Sequence, residues 1–549
     1  HENTPMPYLR DKSLYLGVAM SKKDWQYQSN YAIIEIPSRF VGRFVLLPNE
    51  KPEEKNVMLL EDVITFNLPH IFSYFGYDEF SAHAFKVTKD AELDLDNDIK
   101  TNFAEKIEKG LKNRRKGKPT RFVFDKDMDK ALLELLIRKL NLSKKDSIIP
   151  GGKIHNFKHF MDFPDVFEYY KKPAERTSFT HQAFEHGQRV TDVIMKEDVL
   201  LTFPYHTYTP VIDLLREAAM DPDVKSIQIT AYRLASNSKI INALIYAARN
   251  GKDVTVMLEL QARFDEESNL KWKEMLEPEG ITVLVGIPNI KVHAKLCIIK
   301  KRSCNKTLQY GFVSTGNFNE KTARIYGDHL LMTSDRGIMA DINKVFNVLK
   351  KPKEDYTTIL KTCKSLMVCP QFMREKIMLY ISKEIDEAVA GRRAEIIVKA
   401  NSLSDRLLIM KLYEAAQAGV VVKMIVRGIY CAINQKYFKE KIKAISIVDE
   451  YLEHARVMYF YSKGNEDLYI SSADWMTRNL DYRIEAAVKI TDKNLKKELK
   501  HILNIQLSDN VKARILDKNL SNEYVKNDND ECRSQVETYQ YLKNKTTAQ

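Results

Sequence analysis

Two short histidine motifs stand out. Val292-His293-Ala294-Lys295 is followed by Ser314-Thr315-Gly316-Asn317-Phe318-Asn319-Glu320, and Glu453-His454-Ala455-Arg456 by Ser471-Ser472-Ala473-Asp474-Trp475-Met476. Side chains alternate along a strand, so His-Ala-Lys places the imidazole and the cation on one face. In a continuous strand Lys291–Ile299, Val292, Ala294 and Leu296 then face a core, while His293, Lys295 and Cys297 face the other way. A nucleophilic nitrogen beside a fixed cation suits attack on phosphorus, because the cation draws in phosphoryl oxygens and stabilises the charge developing on them.

The likeness extends beyond the histidines. Setting Ser314 on Ser471 with one constant offset pairs Asn317 with Asp474, Lys321 with Arg478, Asp328 with Glu485 and Asp335 with Asp492. Upstream, Ala231-Tyr232-Arg233-Leu234 parallels Lys399-Ala400-Asn401-Ser402, and each stretch leads into a helical segment, a glycine and an apolar strand (Val254–Leu260, Val420–Val426). Two halves of like order, each with one histidine, predict a single site at a pseudo-twofold interface. Asp328 and Glu485 are the acids expected to orient the two imidazoles, as a triad carboxylate does. Which acid serves which histidine stays open at this level.

The chain around these motifs has 549 residues, enough for about three or four domains with real cores. Its 44% apolar and 29% charged residues are those of a globular protein. No apolar run suggests a membrane span, and the start, His1-Glu2-Asn3-Thr4-Pro5, shows no signal peptide and no initiator Met, as in a processed or cut terminus. Six cysteines without Cys-x-x-Cys spacing argue against zinc or disulfides and for a reducing cytoplasm. The net charge of +12 points to a polyanionic partner, with nucleic acid, acidic lipid and inorganic polyphosphate all open on charge alone. The basic run Lys109–Arg121 reads as solvated surface.

Residues up to about 175 mix strands (Tyr31–Pro37, Phe40–Leu47, Ala82–Val87, Thr120–Phe124) with a helix over Asp129–Leu140, and His70, His83, His155 and His159 read as structural or surface residues. The rest reads as two α/β units, with a polar tail fraying after Asn527. The fold class is therefore α/β and internally duplicated. Neither Gly-x-x-x-x-Gly-Lys-[Ser/Thr] nor Gly-x-Gly-x-x-Gly occurs, so phosphate must be cradled by side chains such as Arg233, Arg263, Lys295, Lys321, Arg427, Arg456, Arg478 and Arg483.

At these residues the chain resembles the first, histidine-phosphorylating family of polyphosphate kinases, which belongs structurally with the phospholipase D superfamily. The similar stretches include Thr202-Phe203-Pro204-Tyr205, Leu258 to Glu267 (LELQARFDEE), Val292 to Leu296, Ser314 to Ala323 (STGNFNEKTA), Leu452 to Arg456 and Ser472 to Asp481 (SADWMTRNLD). The resemblance implies an α+β head domain (1–176) followed by two tandem phospholipase D-like α/β domains (177–365 and 366–549), with the family's N-terminal helical domain absent. It implies reversible transfer of the terminal phosphate of ATP, through phospho-His293, to inorganic polyphosphate, with His454 in the nucleotide site as general acid. Lys295 serves the phosphoryl group; Tyr326, Arg427 and Arg478 accompany His454 at the nucleotide. Arg233 and Arg263 match positions that the family assigns to magnesium, but a guanidinium has no lone pair to offer. They are read as binding the phosphates that carry Mg2+. A homo-oligomer in the cytoplasm, peripheral contact with the inner membrane face, and no nucleic-acid partner complete the expectation.

The rival reading keeps the fold and makes the chain a phospholipase D-like phosphodiesterase acting on lipid or nucleic acid. Arg456 in place of a second lysine, and the lack of aspartate in Leu296-Cys297-Ile298-Ile299-Lys300, count against it.

Overall fold

The computed structural model describes residues 6–11, 13–23, 30–48, 51, 54–89, 119–143, 147–166, 176–184, 187–235, 237–260, 266–287, 290–304, 306–351 and 356–547. It divides into two compact units, His1–Glu175 and Arg176–Gln549. Arg263 and most of the Lys109–Arg121 run lie outside the described residues.

The first unit is built on a five-stranded sheet ordered Asn30–Glu35, Leu14–Ser21, Glu79–Lys89, Pro119–Asp125, Ser147–Gly151. The predicted helix forms over Lys130–Lys139, started by Asp129, whose side chain accepts from the Leu132 amide at 2.9 Å. The strand expected over Phe40–Leu47 is shorter, Phe44–Leu46. Pro37 fixes the preceding backbone for a short helix, Ser38–Val41, and Gly42 at φ 77° turns the chain out of it.

The second unit holds two eight-stranded sheets that share one order over seven strands. One runs Thr282–Leu284, Asp253–Leu258, Val224–Ala231, Lys295–Ser303, Lys306–Ser314, Tyr326–Thr333, with Val199–Phe203 pairing the last of these. The other runs Ala513–Ile515, Lys443–Ile447, Val421–Val426, Glu395–Ala400, Arg456–Phe460, Asp467–Ser471, Ala486–Lys489, Leu366–Val368. The eighth strand of the first sheet is Leu452–Glu453, contributed by the second half. These central strands are apolar on both faces, as sheets covered on both sides require. One face of each sheet meets the other in a shared core that includes Leu296, Val313 and Leu331 from the first half and Val457, Ile470 and Val488 from the second. The opposite face of the second sheet is covered by the helices Phe372–Val389 and Arg406–Ala418.

The duplication repeats down to single hydrogen bonds. Asp335 caps the helix Arg336–Lys350 by accepting from Ile338, and Asp492 caps Lys493–Leu507 by accepting from Leu495. Ser314 and Ser471 each accept from the amide two residues on, at 3.1 and 3.0 Å. The upstream alignment differs by one residue from that read in the sequence. The amide of Glu259 donates to Ala231, as that of Arg427 does to Ala400, so Tyr232 corresponds to Asn401.

Two further expectations are corrected. The strand Lys291–Ile299 is interrupted at His293 and Ala294, leaving Lys291–Val292 and Lys295–Ser303. Val292, Ala294 and Leu296 do enter the shared core, but Lys295 and Cys297 are buried as well. The tail after Asn527 does not fray; it ends in a helix, Ser534–Thr547, that buries Ser534, Gln535, Thr538 and Leu542.

Candidate active site

The break at each histidine has a common cause: the strand before it pairs with the opposite half. Lys291–Val292 lies parallel to Arg483–Ile484, and Leu452–Glu453 parallel to Tyr326–Gly327. The amides of His293 and Ala294 both donate to the Ile484 carbonyl at 2.9 Å, and those of His454 and Ala455 to the Gly327 carbonyl at 3.1 and 2.7 Å. Two donors on one carbonyl end the ladder and turn the chain into the next sheet. Each histidine is thereby set beside the residue that follows the partnering strand, which is the acid of the other half.

The pairing is crossed. His293 Nδ1 lies 2.9 Å from Glu485 Oε2, and His454 Nδ1 lies 2.8 and 3.0 Å from the Asp328 oxygens. Both acids are held from behind. Thr315 Oγ1 donates to Asp328 at 2.6 Å, and the equivalent Ser472 Oγ donates to Glu485 at 2.5 Å. Asn479 Nδ2 adds a third bond to Glu485 at 2.9 Å. Burial alone would raise the Glu485 carboxyl, yet His293, Lys295 and Arg483 bring it down to about 2. Asp328 is likewise held below its ordinary value, His454 outweighing burial. Burial pushes His293 down to about 3 and lowers His454 too, against the pull of their carboxylates. Neutral imidazoles beside ionised acids must carry their proton on Nδ1, which leaves Nε2 with a lone pair.

The two halves differ in their cations. Arg456 is neutralised by Asp474, its Nη2 at 3.0 Å from Oδ2, and it also donates to the His454 carbonyl at 2.9 Å. The residue equivalent to Asp474 is Asn317, and Lys295 has no carboxylate within ion-pair distance among the described residues. Its ammonium donates to the His293 carbonyl and faces the Tyr232 ring, 5.5 Å from the centroid. Burial drives its pKa well down, so the charge is one that a phosphoryl group would stabilise.

The other expected residues fall as follows. Tyr326 packs against His454 with ring centroids 5.1 Å apart. Arg427 is half-buried and donates through Nε to Asn401 Oδ1 at 3.0 Å and to the Glu453 carbonyl at 2.9 Å. Arg233 is exposed, its guanidinium 5.8 Å from the centroid of Tyr232, whose ring stands edge-on to His293. Arg478 is exposed on the short helix Thr477–Asp481; its neighbour Asn479 is the residue that turns inward to Glu485. The sequence reading passed over Thr315, Ser472, Asn479, Tyr232 and Asn401. Position in the repeat could have found Thr315 and Ser472, which are hydroxyls at matched places.

Among the described residues no set of donors fits a magnesium ion held by the protein alone. No group of three or more His, Cys, Asp or Glu side chains among the described residues could hold a metal, and Asp328 and Glu485 are engaged by the histidines.

The fold is a duplicated α/β unit with two half-buried histidines, each paired with a buried carboxylate, at its pseudo-twofold interface, an arrangement of the class that handles phosphoryl groups. Residues 1–163 match the family model of the polyphosphate kinase middle domain, 189–355 that of C-terminal domain 1 and 366–535 that of C-terminal domain 2. The polyphosphate kinase of Vibrio parahaemolyticus serotype O3:K6 is 42% identical over 544 residues, 98% of this chain and 77% of that one. That of Escherichia coli K12 is 43% identical over 545 residues, 98% of this chain and 78% of its own. The crystal structure of polyphosphate kinase from Porphyromonas gingivalis matches with a TM-score of 0.83 at 34% identity, covering 100% of this chain and 80% of that one. The chain belongs to the polyphosphate kinase family.

Proposed function

We propose that the chain transfers the terminal phosphate of ATP to inorganic polyphosphate, reversibly, through a phosphohistidine on His293. The observation that carries this is the His293–Glu485 pair, which among the described residues leaves Nε2 unpartnered beside a lysine with no carboxylate within ion-pair distance. The Nε2 lone pair attacks the terminal phosphorus, an N–P bond forms, and the bond to the ADP oxygen breaks. A terminal oxygen of polyphosphate then attacks the same phosphorus and the N–P bond breaks. Glu485 stabilises the cationic phosphoimidazole, and Lys295 the phosphoryl oxygens.

His454 is the candidate acid for the ADP oxygen, with Tyr326 and Arg427 at the nucleotide. Burial lowers its pKa in the free protein, so it needs the incoming phosphates, whose negative charge favours the imidazolium, before it can donate. Magnesium would enter as part of the nucleotide substrate, its phosphates met by arginines such as Arg233. The three-part division at 176 and 365, a homo-oligomer and a cytoplasmic location with peripheral membrane contact belong to the same proposal. No helix among the described residues is long and apolar enough to cross a membrane.

The test is incubation with ATP labelled on its terminal phosphate. An acid-labile, base-stable label should appear on protein and be absent from His293→Ala. Label retained in that variant removes the assignment, and hydrolysis of phosphodiesters without label would favour the rival enzyme.

A further inference from the structure

We propose that Gln535, on the C-terminal helix Ser534–Thr547, is a positioning residue for His454; this rests on the role given to His454 above. Gln535 is 1% exposed. Its Oε1 accepts from the Tyr451 amide at 2.9 Å, while its Nε2 donates to the Tyr451 carbonyl and to Glu453 Oε1, both at 2.8 Å. The side-chain amide thus imitates a neighbouring strand. It closes the outer edge of the segment 451–453, whose strand Leu452–Glu453 pairs on its other side with Tyr326–Gly327.

The residue clamped this way directly precedes His454. The second oxygen of Glu453 accepts from Gln506 at 3.2 Å and from the Lys399 ammonium, and its carbonyl accepts from Arg427. Three hydrogen bonds thus hold the buried carboxylate of Glu453, and the helix supplies the one on Oε1. The helix is itself tied down: Ser534 donates its amide to Asp509 at 2.8 Å, and Arg533 grips Asp449 at 2.6 and 2.9 Å. The first half solves the same problem with different chemistry. There, Glu259 Oε2 accepts from the amide of Val292, the residue before His293, at 2.6 Å. The residue at the place of Glu259 in the second half is Arg427, which holds the Glu453 carbonyl, so Gln535 is a further clamp that the second half alone carries among the described residues.

The test uses the full chain with Gln535→Met, which keeps length and apolar volume but none of the three hydrogen bonds. Single-turnover labelling of His293 from ATP should slow by about ten- to a hundredfold, the scale of a misplacement near 1 Å. Hydrogen exchange should quicken in the segment 448–458 and stay unchanged in the rest of the two sheets. In a His454→Ala background the Gln535→Met change should cost nothing further. Parent-rate labelling, an additive loss in the double variant, or exchange quickened across the whole unit would each overturn the proposal. If His454→Ala alone labels at the parent rate, the acid role of His454 falls; local quickening at 448–458 in Gln535→Met would still support the clamp.

Discussion

Replacing Glu485 by Gln removes one charge, and with it the ion pair of Oε1 with Arg483 Nη1 at 3.7 Å, while leaving the shape of the side chain unchanged. In the parent, Oε2 receives His293 Nδ1 and Ser472 Oγ, while Oε1 receives Asn479 Nδ2. A glutamine can keep its oxygen toward His293 and Ser472, which places its NH2 against Asn479. Asn479 Oδ1 has no partner in the parent, so that amide can turn over and accept. The variant should therefore fold with a stability close to the parent's. Its chemistry should suffer, because a carboxylate 2.9 Å from a developing imidazolium is worth at most about 6 kcal/mol at an effective dielectric of about 20. The least to be lost is the difference between a charged and a neutral hydrogen bond, about 1 kcal/mol. These bounds correspond to roughly five- and twenty-five-thousandfold, and the short distance and buried setting of the lost charge place the expectation at about a hundred- to ten-thousandfold. Rapid-quench single-turnover labelling with ATP reads this step directly, and thermal unfolding checks the fold. Labelling within about twofold of the parent would refute the assignment of Glu485 to the nucleophile.

Gly316→Ala should damage the second histidine pair alone, since a Cβ there would stand 2.1 Å from Asp328 Oδ2 and push the acid off His454. Labelling of His293 should slow while hydrogen exchange at the His293 strand stays at the parent level. Acid should destabilise the second unit in a window set by buried histidines. Burial holds His181 at about 4, His329 at about 3 and His206 well below its ordinary 6.5, so all three are neutral when folded. The unfolded chain takes up these protons as pH falls through 6.5 and the folded chain does not, so stability is intact above that value and declines below it. At pH 5.5 the loss is at most about 1.4 kcal/mol for each histidine. Unfolding midpoints that do not move between pH 7.5 and 5.5 would contradict this.

Much of the site could be read from chain order. The two histidines, Lys295, Asp328 and Glu485 are visible because a repeat places like chemistry at like positions. The crossing of acids is not, since it depends on parallel pairing of Lys291–Val292 with Arg483–Ile484, which are distant in sequence. The break at His293 was hidden because Val292, Ala294 and Leu296 keep their alternation through it, all packing in the shared core. Arg478 drew attention by charge, whereas the inward-facing neighbour is an amide whose value lies in geometry. The C-terminal helix was misread because its buried residues are largely polar. Ser534, Gln535 and Thr538 resemble a solvated tail until their hydrogen-bond partners are known.

The crossed pairing makes competence a property of the seam between the halves. A fragment carrying only the first half would hold His293 without Glu485, and one carrying only the second would hold His454 without Asp328. Each would also keep a buried carboxylate stripped of its histidine. Separately expressed halves should therefore be inert alone and should recover together or not at all, as two strands of one clasp do.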